Sequence, residues 1–321
     1  MDFLANYFSS LNPMSFLSAL PGNIAQGIIW GLMGLGVFLT FKLLNFADLS
    51  VDGSFATGGA VTAVMLINGC PVWATIIVAI LAGLVAGLVT GLLHTLLGIP
   101  DILAGILTQI ALYSINLNIM GRSNLPISYR NYTLVVSASN INMAILVGLG
   151  ICAIVIAAMY WYFGTEQGST IRSTGSNPAM SKAQGININF TKVIALALSN
   201  GLVALSGSLF AQYQGFADIN MGRGAIVIGL AAVIIGEVLG EAIFRKHMNF
   251  IIRMLFVIVG GILYYIAMGI VLWLKMPTDD TKLFTAIIVA IFLAVPYLQK
   301  KRKTSFKKVA KMNAKNAQKE G

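Results

Sequence analysis

Charge is what this chain has least of. Only 10% of its 321 residues are Asp, Glu, Lys or Arg, against about 25% in a soluble domain. That shortage excludes an ordinary soluble enzyme, and a 57% hydrophobic content excludes a disordered chain. Cysteine is scarce too: Cys70 and Cys152 both lie in or beside apolar runs, with no metal-ligand spacing and no disulfide framework. The chain lacks H-E-x-x-H, G-x-S-x-G and the phosphate-binding G-x-x-x-x-G-K-[ST] pattern. The sequence therefore nominates no catalytic residue, no metal site and no cofactor of its own, and any ATP the protein uses must be bound, with its Mg, by another chain. What is abundant is apolar sequence, together with 33 glycines that suit close helix packing in a bilayer. The reading is a polytopic, all-α membrane protein.

The net charge of +10 invites a nucleic-acid reading. Its distribution argues otherwise. From Lys300 onward there are nine Lys/Arg and one Glu, so the rest of the chain carries only +2. The basic residues form a tail at 300–321, directly after an apolar segment and without interleaved aromatics. Such a tail fits a cytoplasmic position near anionic lipid, with no nucleic acid involved.

A spanning helix needs about 20 apolar residues. Nine segments qualify: 23–43, 52–68, 72–97, 101–119, 143–164, 190–212, 224–242, 251–274 and 283–299. The transmembrane domain is thus placed at 23–299. Residues 1–22, interrupted by Pro13 and Pro21, read as an interfacial segment with no cleaved signal peptide. With the tail inside, Lys42, Arg172, Lys182, Lys192, Arg245, Lys246 and Arg253 are cytoplasmic, and Arg122, Arg130, Arg223, Lys275 and Lys282 are external.

The two halves echo each other at an offset of 170 residues. Phe46-Ala47-Asp48 matches Phe216-Ala217-Asp218, Gly59 matches Gly229, and Leu35 and Leu39 match Leu205 and Leu209. The copies would lie on opposite sides of the bilayer, which makes the repeat inverted and directs attention to the repeat interface as the solute route. Coincidence in an apolar chain of low diversity is the alternative.

Charged groups in a bilayer cost a few kcal/mol and need a reason. Asp48 and Asp52 lie in Asn45-Phe46-Ala47-Asp48-Leu49-Ser50-Val51-Asp52-Gly53-Ser54, a helix breaker and a helix starter together. Either Asp52 or Ser50 caps the following helix in a cytoplasmic loop, or the stretch is a broken helix lining a path. A path of this kind would take in Asn45, Asp48, Asp52, Gly53, Thr57, Asn116 and Asp218. Gln26, Thr62, Gln109, Asn200, Gln212 and Glu237 suit interhelical hydrogen bonds. Asp218 and Arg223 suit an ion pair, and the lone His94 suits a structural role.

The longest polar loop, at 165–190, contains a compact helix signal. Asn177 is an N-cap, Pro178 takes the first helical position, and Gly185 is placed to stop the helix in the left-handed conformation. A short, exposed helix between glycine hinges suits docking into a partner's cleft.

The residues Arg172, Gly175, Asn177, Pro178, Gly185 and Ile186 resemble the coupling loop of ABC importer permeases of the branched-chain amino acid and ribose type. Asp48-Leu-Ser-Val-Asp52-Gly-Ser-Phe55, Ile102-Leu-Ala-Gly-Ile-Leu-Thr108, Leu112-Tyr-Ser-Ile-Asn116, Ile119-Met-Gly121 and Gln212-Tyr-Gln-Gly-Phe-Ala-Asp218 narrow the resemblance to the tryptophan/tyrosine ABC importer permeases. It covers roughly residues 24–245. It implies a type II importer permease fold in a bacterial plasma membrane. It also implies a homodimer, two separate ATPase subunits, an extracytoplasmic substrate-binding lipoprotein, and an amino acid as solute. The rival is an ion-coupled secondary transporter that uses Asp48 and Asp52 as cation or proton ligands.

Overall fold

A computed structural model describes residues 13–128, 132, 134–244, 248–274, 283–292 and 294. The first twelve residues, the basic tail and the cations Arg130, Arg245, Lys246, Lys275 and Lys282 lie outside the described residues.

The chain is built from α1 (Pro13–Val37), continued by a π-helical turn at Phe38–Leu43, then α2 (Val51–Ile67), α3 (Val72–Thr95) and α4 (Asp101–Met120). After a short strand β1 (Asn124–Pro126) come α5 (Ile141–Gly164), α6 (Glu166–Ser176), α7 (Pro178–Ala183) and α8 (Ile188–Gln214). Strand β2 (Phe216–Asp218), α9 (Ala225–Phe244) and α10 (Phe250–Trp273) follow, and α11 occupies Leu283–Phe292.

Among the described residues seven helices are long and apolar enough to cross a membrane, with Val51–Ile67 and Leu283–Phe292 apolar but shorter. Against the expected nine spans, α2 is the instructive departure. Its 17 residues reach only about 25 Å at 1.5 Å per residue, short of a hydrocarbon core of about 30 Å. The reason it can be short is burial: twelve of its residues, from Val51 to Leu66, are buried. A helix surrounded by protein has its ends satisfied there and need not reach either interface. Conversely, α1 starts ten residues before the expected span, running through Pro21 from Pro13.

α2 is enclosed by α8, α3 and α4, and α1 packs on α10, α8 and α9. In their most apolar stretches α1 and α8 are 83% and 72% buried, while α3, α4 and α5 are 33%, 28% and 28% buried. The former make the core, and the latter present Ile77, Leu81, Val85, Ile102, Leu107 and Leu146 outward. In lipid this outward apolar face carries no penalty, so packing rather than hydrophobic transfer must hold the helices together. Small residues serve that purpose: α3 lays Gly83 and Gly87 against the backbone of α8 at Asn200 and Leu196.

The all-α expectation needs one amendment. β1 and β2 pair antiparallel in the register Asn124↔Asp218, Leu125↔Ala217 and Pro126↔Phe216. Gly215, at φ 77°, turns the chain out of α8 into β2, and the pairing satisfies backbone groups of two irregular segments that α4 and α8 leave behind.

Candidate functional site

Two helices begin inside the molecule. After the π turn, Asn45 takes a left-handed φ of 55°, a conformation that Asn tolerates better than most residues, and the chain folds inward. Asp48 ends midway along α8, where Asn200 Nδ2 donates to its Oδ2 at 2.8 Å. The Ser50 backbone N–H donates to Asp48 Oδ1 at 2.9 Å, and the Ser50 hydroxyl donates to the same oxygen. Asn200 donates its other N–H to Leu196 O at 3.0 Å. Asp48 is 2% exposed, and Ser50 and Asn200 are fully buried. Every strong donor here has an acceptor, so the cluster ties the start of α2 to α8.

Asp52 does something the sequence did not announce. No side chain caps α2 from its Ser50 position. Instead Asp52 reaches across to the other half of the chain, where Oδ2 accepts from Gly224 N–H and Oδ1 from Ile226 N–H, both at 2.9 Å. It therefore caps α9, not its own helix. Capping plus the helix dipole favour an anion at that place. Gly222 makes the approach possible, because a Cβ there would collide with the Asp52 carbonyl. The first turns of α2 and α9 are thus stitched together in the interior, while Gly53 lies against Gln109 and Leu112, midway along α4.

Beside this stitch opens a cavity of about 300 Å³, lined by Asp52, Gly53, Gln109, Tyr113, Ser114, Asn116, Ile219 and Arg223 among others. Small-molecule sites begin at about this size. Asn116 is fully buried, yet neither its Nδ2 nor its Oδ1 has a hydrogen-bond partner. A buried amide left open costs about 1–3 kcal/mol, which makes it unusual.

Of the residues placed on a path from sequence, Asp52, Gly53 and Asn116 share this cavity. Asp48 lies in the closed cluster, and Asn45 sits exposed at the break. Thr57 donates to Gly53 O at 2.9 Å and faces an apolar groove between α2, α3 and α4. Asp218 accepts from Asn220 N–H at 2.7 Å and from Asn124 Nδ2 at 3.3 Å. It forms no ion pair with Arg223: β pairing turns Asp218 toward Asn124, and Arg223 joins the cavity instead. Sequence reasoning also missed Gln109, Tyr113 and Ser114 as cavity lining. The spacing 109, 113, 116 places three polar or aromatic groups on one face of α4, and that was the available signal.

At one end of the bundle the 165–190 loop folds into two helices. Thr165 accepts from Gly168 N–H to cap α6, a helix with no counterpart in the sequence reading. Asn177 accepts from Met180 N–H at 3.0 Å, with Pro178 next. Gly185, at φ 83°, closes the turn after α7. Residues 177–180 are exposed, with Ser181 facing inward. Ile186 is half-buried, and the Arg172 guanidinium lies 6.0 Å from the centre of the Phe250 ring. Gly175 is no hinge. It lies within α6, and a Cβ there would overlap the Leu43 carbonyl oxygen. The short helix α7 is thus connected through α6 to the break that leads to Asp48 and Asp52.

His94 bridges two elements: one ring nitrogen lies 2.8 Å from Ile99 O and the other 2.9 Å from Lys192 Nζ. Glu237 holds Lys42 at 2.7 Å and Arg253 at 3.4 Å. Among the described residues no three His, Cys, Asp or Glu side chains gather as a metal site.

The arrangement of broken helices around a polar cavity, with an exposed capped helix at one end, has known relatives. Residues 22–296 match the model of the branched-chain amino acid transport system, permease component, family. The chain belongs to that family. This permease is 42% identical over 301 residues to a tyrosine transport system permease protein of Clostridioides difficile, covering 93% of its own length and 99% of the relative's. It is 24% identical to the D-allose transport system permease protein of Escherichia coli, covering 80% and 77% of the two chains. Its fold is shared with a chain of PsaBC from Streptococcus pneumoniae, solved in complex with Fab, at a TM-score of 0.51 and 15% identity over 91% and 94% of the chains. The permease is the membrane component of an ABC transport system and works with a partner ATPase. Transport, not catalysis, is its task.

Proposed function

We propose that this permease carries an aromatic amino acid, tyrosine foremost, into the cell. It works as a homodimer that rests on two ATPase subunits and receives solute from an extracytoplasmic binding lipoprotein. The 42% identity across nearly the whole of a tyrosine transport permease carries this reading. ATP and Mg belong to the partner subunit. The tail at 300–321 is cytoplasmic, on the side of the docking helix α7, as its charge favours.

The halves are inverted repeats. In support, Asp48 and Asp218 stand 170 residues apart, and each accepts from the backbone N–H two residues on, at Ser50 and Asn220. Each of these turns follows a long helix and precedes an apolar one. The stitch at Asp52 joins the two copies where a solute route would pass, along Asn45, Asp48, Asp52, Gly53, Thr57, Asn116 and Asp218.

Coupling needs only rigid contact. Closure of the ATPases displaces α7, α6 moves with it, and Gly175 passes the displacement to the Leu43–Leu44 backbone on which it sits. Arg172, Asn177, Pro178, Gly185 and Ile186 hold the loop in shape. The test is Asn177→Ala combined with Gly185→Val, which removes the cap and places a β-branched residue at positive φ. The expected result is a folded permease that no longer co-purifies with its ATPase or no longer stimulates ATP hydrolysis. A well-folded double variant with unchanged uptake would return weight to ion-coupled transport through Asp48 and Asp52.

A further inference from the structure

We propose that the cavity between α2, α4 and the segment entering α9 is a binding site for the zwitterionic head of an α-amino acid. This rests on the transport reading above and gives it a place. The cavity is lined by one carboxylate, Asp52, and one guanidinium, Arg223, with neutral polar groups between them. Among the described residues, the recorded ion pairs involve Lys42, Arg253 and Glu237 only, so neither Asp52 nor Arg223 is neutralised by a side chain of opposite sign. Asp52 does accept two backbone N–H groups, but each carboxylate oxygen has two lone pairs. A solute carrying both signs close together matches such a lining. A simple cation or a simple anion would engage only one of the two charges.

Asn116 supplies the independent observation. It is fully buried, lines the same cavity, and offers both a donor and an acceptor that the protein leaves unpaired. Other buried amides keep a partner at one end at least: Asn200 donates to Asp48, and Gln212 accepts from Val135 N–H at 3.0 Å while its Nε2 stays open. An amide open at both its donor and its acceptor, on the wall of a cavity, is the mark of a partner that comes and goes, because a bound ligand would recover the cost of leaving it open. Tyr113, 41% exposed, adds an aromatic face at the same wall.

The test uses the permease–ATPase complex with Ser114→Cys in a Cys70→Ser background. The remaining Cys152 is 2% exposed and shielded from reagent. The rate at which a water-soluble thiol reagent modifies residue 114 is measured with L-tyrosine, tyramine or 3-(4-hydroxyphenyl)propionate. L-Tyrosine should slow the reaction at concentrations where the other two, each lacking one charge, do not. Arg223→Gln should raise the protecting concentration roughly ten- to a hundredfold, the worth of one hydrogen bond to a charged group, and bring L-tyrosine to the level of tyramine. Asn116→Leu should raise it about tenfold while the complex still co-purifies. Equal protection by tyramine and L-tyrosine in the parent, or no protection in a complex that takes up tyrosine with ATP, would overturn the proposal. A complex that hydrolyses ATP but moves no amino acid would instead overturn the transport reading beneath it.

Discussion

Two polar clusters lie close together at the start of α2, and they are built on opposite plans. Around Asp48 each strong donor meets an acceptor inside the protein, through Ser50, Asn200 and Leu196. Around Asn116 the amide is left open beside a cavity that also holds Asp52 and Arg223. Low dielectric makes both plans matter. A satisfied network fixes the fold firmly, and an unsatisfied group is expensive enough to need a purpose. An intramembrane Asp is by default a functional suspect, yet Asp48 has the more structural surroundings, and the neutral Asn116 has the more functional ones. Satisfaction, more than charge, separates the two.

The sharpest way to break that contrast is to remove one partner from the closed cluster. Asn200→Leu leaves Asp48 with only the Ser50 donors, and losing a hydrogen bond to a buried charged group costs about 1.5–3 kcal/mol. Folded protein recovered from membranes, read by size-exclusion profile, should fall steeply. Next comes Gly175→Ala. Its new methyl group meets the Leu43 carbonyl oxygen, and overpacking of this kind costs about 1–3 kcal/mol. ATP hydrolysis by the complex should then lose its response to solute. Asn116→Leu should be milder for folding, with a thermal midpoint near that of the parent, while uptake KM rises about tenfold. If Asn116→Leu unfolded the protein and Asn200→Leu did not, the two plans would have been assigned the wrong way round. Smallest of all should be Glu237→Gln. It loosens Lys42 and Arg253 at a partly exposed ion cluster, where such pairs contribute under about 1 kcal/mol, and melting should barely move.

Much of the fold was legible. Apolar runs located the long helices, and from α2 to α10 both ends of each helix expected as a span fall within two residues of the expected segment. The Asn177-Pro178…Gly185 signal gave α7 because capping chemistry is local. What stayed hidden was non-local. Nothing near Asp52 in sequence says that it caps a helix beginning at Ala225. Nothing near Asp218 says that β pairing draws it toward Asn124 and frees Arg223 for the cavity. Gly175 read as a hinge because its neighbour, the Leu43 backbone, is distant in sequence. The start of α1 at Pro13 escaped because Pro21 looks like an interruption in a linear scan, although it lies inside the helix, where a proline can kink a helix without ending it.

The central claim is that an ATPase drives this permease to move an aromatic amino acid. It is tested most directly by uptake of labelled tyrosine into proteoliposomes that contain the permease with its ATPase subunit and binding protein, with no ion gradient imposed. The account predicts uptake that requires ATP and stops when the ATPase is omitted. Uptake by the permease alone, driven by a proton or sodium gradient and indifferent to ATP, would contradict it.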